Sequence, residues 1–309
     1  MRIVFMGTPE FAVPCLEALI KREDAEVVGV FTQPDRPKGR GNRLAASPVK
    51  ETAVKAGIPV FQPERIRRTG ISDLQALKPD LCITAAFGQI LSREVLDVPS
   101  LGNINVHASL LPKHRGSAPI AHAIMAGDKT AGVTTMMMDE GIDTGDMLLS
   151  ESTEIGRQET CGELTERLSR IGAGLLIKTL DALEAGTLQR IPQNEDEMTY
   201  DPMLKKEMGI ADFSADAETV RGLINGLNPW PCVSVPLGGE RMKLLRADAA
   251  EGNGTPGTVL QADPKNGLLI ACGSGAVRII EVQAPGGKRM RAEDYLRGHG
   301  IPEGTSFSE

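Results

Sequence analysis

Residues 2–32, RIVFMGTPEFAVPCLEALIKREDAEVVGVFT, read as strand, helix and strand. Arg2 to Met6 is a short apolar run, and Gly7-Thr8-Pro9 turns it into a helical pattern from about Pro9 to Lys21. Phe11, Cys15, Ala18 and Leu19 form the apolar stripe of that helix, and Pro9 suits a first turn, where a missing N–H leaves nothing unpaired. Glu26 to Thr32 supplies the second strand. A βαβ unit of this size belongs to a parallel sheet. The single glycine after the first strand is not GxGxxG, so a dinucleotide site has no support.

Working outward, Ser47-Pro48 reads as a cap and first-turn proline, with Gly57 ending that helix, and Ile58 to Phe61 is a short strand. Ser72 is expected to cap a helix through Lys78. Asp80 to Phe87 (DLCITAAF) is nearly all apolar, as in a central parallel strand covered on both faces. Leu148 to Ile155 is a strand, and Thr160 with Glu163 makes a capping box for a helix running to about Glu184. From Gly186 to Met208 the chain turns polar and loses its period, which places a linker at 189–207 between a first domain (1–188) and a second (208–309). In the second, Ser214 to Leu227 is helical, and Asn228-Pro229-Trp230-Pro231 breaks the pattern. Five short strands follow: Val233–Leu237, Arg241–Arg246, Thr258–Gln261, Leu268–Cys272 and Ala276–Val282. Their turn signals suggest a small barrel or sandwich.

A length of 309 residues accommodates two domains. The formal charge of −7 excludes a wholesale polycation, so any nucleic-acid contact must come from local basic patches. The five cysteines are scattered without CxxC spacing and read as thiols in a reducing compartment. No stretch approaches the ~20 apolar residues of a membrane span. A strand beginning at Arg2 leaves no room for a leader, and a cytoplasmic protein is expected. A monomer is the default expectation.

The chemistry-bearing stretch is Gly102 to Asp146. Asn103 to Val106 alternates polar and apolar residues as a strand does, so Asn105 and His107 share a face. An amide beside an imidazole can stabilise charge growing on a carbonyl oxygen, whereas a strand histidine on its own is an ordinary core residue. Asp143 lies in the glycine-punctuated loop Glu140–Asp146 and would orient the imidazole or a water if that loop folds back; otherwise it is a turn residue. Ser109-Leu110-Leu111-Pro112 offers backbone amides and a hydroxyl beside the pair, or simply a turn. Phe87-Gly88-Gln89-Ile90-Leu91 leaves the central strand at its carboxyl end, where open parallel sheets bind ligands. Gln33 to Ser47 is an irregular loop carrying Arg36, Lys38, Arg40 and Arg43, either a solvated surface or a basic arm that meets phosphates. GxSxG, HExxH and the P-loop pattern are missing, and His114, His122 and His299 have no partners at metal spacing.

Residues 105–112 (NVHASLLP), Arg115–Ile120 (RGSAPI) and Met138–Asp146 (MDEGIDTGD) resemble the formyltransferase family that draws its one-carbon unit from 10-formyltetrahydrofolate. Gly7–Phe11, Thr32–Pro37, Asn228–Pro231 and Leu296–His299 extend the resemblance over nearly the whole chain, and to the branch whose acceptor is methionyl initiator tRNA. It departs at Ala108 and Cys232, where glycine is more usual. The resemblance implies an α/β, Rossmann-like formyltransferase domain with a mostly parallel sheet, followed by a small OB-like β-barrel that helps hold tRNA. It implies Asn105, His107 and Asp143 as catalytic residues, residues 109–112 on the folate-binding segment, Arg40 on a basic loop reaching the acceptor stem, and no metal. The implied reaction moves the formyl group to the α-amine of methionyl initiator tRNA, with a small amine such as an amino sugar nucleotide as the alternative acceptor. A non-catalytic nucleotide- or RNA-binding module is the rival from another class.

Overall fold

A computed structural model describes residues 1–38 and 43–307. To residue 184 the chain runs β1 (Arg2–Gly7), α1 (Val13–Ile20), β2 (Glu26–Phe31), β3 (Arg36–Lys38), β4 (Arg43–Ala45), α2 (Pro48–Lys55), β5 (Val60–Phe61), α3 (Ile71–Leu77), β6 (Leu81–Ala85), α4 (Arg93–Leu96), β7 (Asn103–His107), β8 (Arg115–Gly116), α5 (Pro119–Met125), β9 (Thr130–Met137), β10 (Met147–Glu154) and α6 (Cys161–Glu184). Then come β11 (Tyr200–Asp201), α7 (Ala217–Gly226), β12 (Val233–Leu237), β13 (Glu240–Ala250), β14 (Val259–Asp263), β15 (Gly267–Ala271), β16 (Ala276–Gln283), β17 (Met290–Arg291) and α8 (Ala292–Gly298). Two compact units form: residues 1–116, 132–153 and 165–200 in one, and residues 117–131, 154–164 and 201–309 in the other.

The first unit is organised by a seven-stranded sheet in the order β10-β9-β7-β6-β1-β2-β5. β1 lies parallel to both β2 and β6, and β6 to β7, as the opening βαβ unit requires. β9 reverses the direction, running antiparallel to β7 with Asn105 opposite Met136 and His107 opposite Thr134. The sheet is therefore mostly parallel. β6 is buried along its whole length, because β-strands with helical crossovers are covered on both faces. Val4, Met6, Phe31, Leu74 and Cys82 pack into one apolar cluster with Phe87 and Leu91.

Local details depart from the sequence reading in three places. Residues 36–45, expected to be irregular, contain a short antiparallel ribbon pairing Arg36 with Ala45 and Lys38 with Arg43. The helix expected from Pro9 is split: a 3-10 turn at Glu10–Ala12 precedes α1, whose first turn holds Pro14. Ser72 caps nothing, since a wide π turn at Ile66–Gly70 feeds straight into α3 and leaves Ser72 one residue inside it. Ser47 does cap α2, accepting the N–H of Lys50, and the Thr160/Glu163 box forms as expected.

In the second unit, β12-β13-β16-β15-β14 form an antiparallel sheet with β17 beside β16. Register shifts near Leu244 and Arg246 bend β13, and the sheet curls into a half-barrel. α7 backs it with Val220, Ile224 and Leu227. The fully buried Asn225 clamps β13 in both directions, donating to Ala247 O at 3.0 Å and accepting Ala247 N–H at 2.9 Å. Among the described residues, no helix is long and apolar enough to cross a membrane.

Candidate active site

β6 and β7 lie side by side and end together, so the segments leaving them meet at the carboxyl edge of the sheet. The alternation of β7 places Asn105 and His107 on one face, both almost completely buried. Burial of an amide and an imidazole is costly unless they are partnered. His107 Nε2 lies 2.9 Å from the carbonyl oxygen of His114. A carbonyl only accepts, so Nε2 carries the proton and Nδ1 is the atom left for proton exchange. Nδ1 lies 3.5 Å from Oδ1 of Asp143. The same oxygen is the long-range acceptor of the Asn105 amide at 3.4 Å. A bond of that length holds the amide loosely, leaving it able to turn toward a stronger acceptor. Thr84, opposite Asn105 in the register, buries a hydroxyl without a partner among the described residues.

Asp143 reaches this position because its loop folds back. Its backbone is left-handed, with φ +54°, a region that Asp tolerates better than most residues. Its second oxygen, Oδ2, accepts the N–H of Gly116 at 2.8 Å. At Gly145 a Cβ would lie 1.8 Å from the carbonyl oxygen of Met137, so only glycine allows the loop to close this tightly. Asp139 stitches the tip, accepting Gly141 N–H at 3.0 Å and the Thr144 hydroxyl at 2.6 Å.

The loops around this cluster are tied down from outside it. Thr199 accepts His114 N–H on its hydroxyl at 2.7 Å and Arg115 N–H on its carbonyl at 2.9 Å. Gln193 donates to the carbonyls of Asp143 at 2.8 Å and Gly145 at 2.7 Å. Arg115, almost fully buried, donates from Nε to Gln193 and grips Glu195 with both terminal nitrogens. Its guanidinium holds the Glu195 carboxyl below the usual glutamate range. Residues 193–199 fall inside the stretch read as a linker, yet are bound into the first unit by these contacts. Gln193 and Thr199 escaped the sequence reading because no period or motif marks them.

The two segments expected to hold ligand, residues 87–91 at the sheet's carboxyl end and the folate-binding 109–112, divide by role. Phe87 and Leu91 are core residues, whereas Ile90 is 65% exposed and Gly88 turns with φ +76°. Gln89 is occupied, accepting Ile66 N–H at 2.7 Å and donating to Pro63 O at 2.9 Å. Thr8 and Gln33 latch the carbonyls of Phe87 and Gly88. In residues 109–112, the Ser109 hydroxyl is spent on Lys113 O at 2.7 Å, and Thr134 bridges Leu111 N–H and Ser109 O. The Leu111–Pro112 peptide is cis. What this turn presents is backbone and the half-buried Leu110 side of the loop, not a free hydroxyl.

Of the basic residues in the 33–47 loop, Arg36 donates to Gln33 Oε1 at 3.2 Å. Lys38 and Arg43 face each other in the ribbon's backbone register. Arg40 lies outside the described residues. No three His, Cys, Asp or Glu side chains gather as a metal site among the described residues. Cys15, Cys82, Cys232 and Cys272 are buried thiols, and burial pushes that of Cys15 up to about 12.

An amide, an imidazole and a carboxylate meet at the carboxyl end of the mostly parallel sheet, and the chain belongs to the formyl transferase family. The family's profile covers residues 1–180, and that of its C-terminal domain covers residues 203–300. The chain is 50% identical over 313 residues to the methionyl-tRNA formyltransferase of Acetivibrio thermocellus, with both proteins covered completely. Among solved structures, an N-formyltransferase from Helicobacter canadensis in complex with folinic acid and dTDP-3-aminofucose has a TM-score of 0.68 at 17% identity, covering 90% of this chain and 98% of that one. HypX from Aquifex aeolicus, solved with tetrahydrofolic acid, has a TM-score of 0.62 at 19% identity over 96% of this chain. The chain spans 47% of that protein's length. At such identities the two structures speak for the fold.

Proposed function

We propose that the protein transfers the formyl group of 10-formyltetrahydrofolate to the α-amine of methionyl initiator tRNA, giving N-formylmethionyl-tRNA for translation initiation. The observation that carries the reading is the convergence of Asn105 and His107 on Asp143 within 3.4–3.5 Å, in a chain half identical to a methionyl-tRNA formyltransferase. By role, catalysis and folate binding fall to residues 1–188, with 193–199 packed onto the first unit although they lie in the 189–207 connection, and 208–309 help hold tRNA.

The neutral amine attacks the formyl carbon, a new C–N bond forms, and the bond to N10 of the folate breaks. Charge growing on the formyl oxygen is met by the Asn105 amide, which leaves its long contact with Asp143. His107 takes up the amine proton at Nδ1, on the Asp143 side, and gives it back there. Asp143 keeps the ring oriented and helps a water pass the amine proton to N10. Residues 87–91 and 109–112 frame the folate at the edge of the sheet. Arg36, Lys38, Arg40 and Arg43 meet tRNA phosphates.

The test is direct. Purified protein, methionyl initiator tRNA and 10-formyltetrahydrofolate should yield formylated methionyl-tRNA with stoichiometric release of tetrahydrofolate. Formylation of an amino sugar nucleotide in preference to the charged tRNA would overturn the acceptor assignment. Folate binding without turnover on any amine would overturn the enzyme reading.

A further inference from the structure

We infer that Gln193 is a positioning residue for Asp143, held in its own place by Arg115 and Glu195, so that a side chain 50 residues downstream sets the geometry of the catalytic carboxylate. The inference rests on the formyl-transfer reading of the site. Asp143 has two features that need an external holder. Its backbone occupies a sparsely populated left-handed conformation, and among the described residues no lysine or arginine pairs with its carboxylate.

Gln193 supplies the holder. Its two amide protons go to the carbonyls of Asp143 and Gly145, bracketing Thr144 and fixing the peptide planes on both sides of the turn. Its oxygen accepts Arg115 Nε–H at 3.0 Å. A side-chain amide offers this combination of two donors and one acceptor, whereas a glutamate would set oxygen against carbonyl oxygen. Arg115 is oriented in turn by the two-pronged contact with Glu195 at 2.7 and 3.0 Å, which fixes the plane of the guanidinium and the direction of Nε. Arg115 is also adjacent to Gly116, whose N–H binds Asp143 Oδ2. One arginine therefore stands next to the residue that holds the carboxylate and behind the residue that holds its backbone. Neither Gln193 nor Arg115 touches the reacting atoms in this arrangement.

Formyl transfer is measured for the unaltered enzyme and for Asp143→Asn, Gln193→Met, Glu195→Ala and the double variant Asp143→Asn/Gln193→Met, alongside thermal unfolding. Gln193→Met keeps the volume and removes both donors. It should lower kcat about tenfold to a hundredfold with the KM for each substrate within about twofold. The exposed Glu195→Ala change should fold normally and lower kcat about threefold to tenfold, which serves if Gln193→Met does not fold. The double variant should be no slower than Asp143→Asn alone, since Gln193 acts through Asp143. If kcat of both Gln193→Met and Glu195→Ala stays within about twofold of the unaltered enzyme while Asp143→Asn collapses, the inference falls and the site reading stands. Losses that multiply in the double variant would overturn the inference as well. If Asp143→Asn keeps full turnover, the site reading itself falls.

Discussion

Oδ2 of Asp143 is taken up by the backbone N–H of Gly116 at 2.8 Å. That contact leaves Oδ1 alone to face Asn105 and His107. An amide at position 143 would keep its oxygen on Gly116 and turn its NH₂ toward His107 Nδ1, blocking proton exchange there. Asp143→Asn should therefore lower kcat by about 10²–10³ without unfolding the protein. Steady-state kinetics with both substrates saturating checks it, with circular dichroism as the control.

Gly145 makes no contact with a reacting group, yet a Cβ there would collide with Met137 O at 1.8 Å. The carbonyl belongs to the last residue of β9, a strand flanked by β10 and β7. Gly145→Ala should displace residues 139–146, lowering turnover at least tenfold, with a fall in melting temperature typical of a backbone clash. Normal activity at an unchanged melting temperature would contradict the tight closure of this loop.

The basic residues of the 33–47 stretch should act on tRNA and not on folate. Arg36→Ala and Arg40→Ala are expected to raise the KM for methionyl-tRNA while leaving the KM for 10-formyltetrahydrofolate unchanged. The dependence of log(kcat/KM) on log salt should become shallower by about one for each phosphate no longer neutralised. A salt slope identical to that of the unaltered enzyme would remove these residues from the tRNA interface.

Glu195 links stability to pH with a definite sign. Arg115 holds its folded-state pKa below the ordinary glutamate value of about 4.3. The ion pair therefore stabilises the protein above the unfolded value, and that stabilisation disappears as pH falls through the lower folded value. The melting temperature of the unaltered protein should exceed that of Glu195→Gln near neutrality, and the two should converge below about pH 4. A difference that persists at low pH would show that the carboxylate charge is not what matters.

Most of the fold was legible because burial patterns are local. The apolar run before Gly7, the capping box at Thr160 and Glu163, and the five strands after residue 232 each declare themselves within ten or so residues. What stayed hidden depended on pairing. β9, TAGVTTMM, is too rich in threonine to stand out, and it forms because it lies against β7. The Arg36–Ala45 ribbon is two three-residue strands that pair with each other, too short to show a period. Gln193 sits in a polar stretch with no period, so nothing local marks it.

By itself, the alternation of Asn103 to Val106 determined that an amide and an imidazole share one side of a strand, since side chains two apart must point the same way. The glycines around Asp143 likewise marked a tight turn. Only the tertiary structure decided that this turn comes back over the strand, and that Gly116, Gln193 and Arg115 hold it there. Those contacts join residues 27 to 80 positions apart. Hydrogen bonds of that reach are set by how a sheet and its loops pack, which no window along the chain encodes.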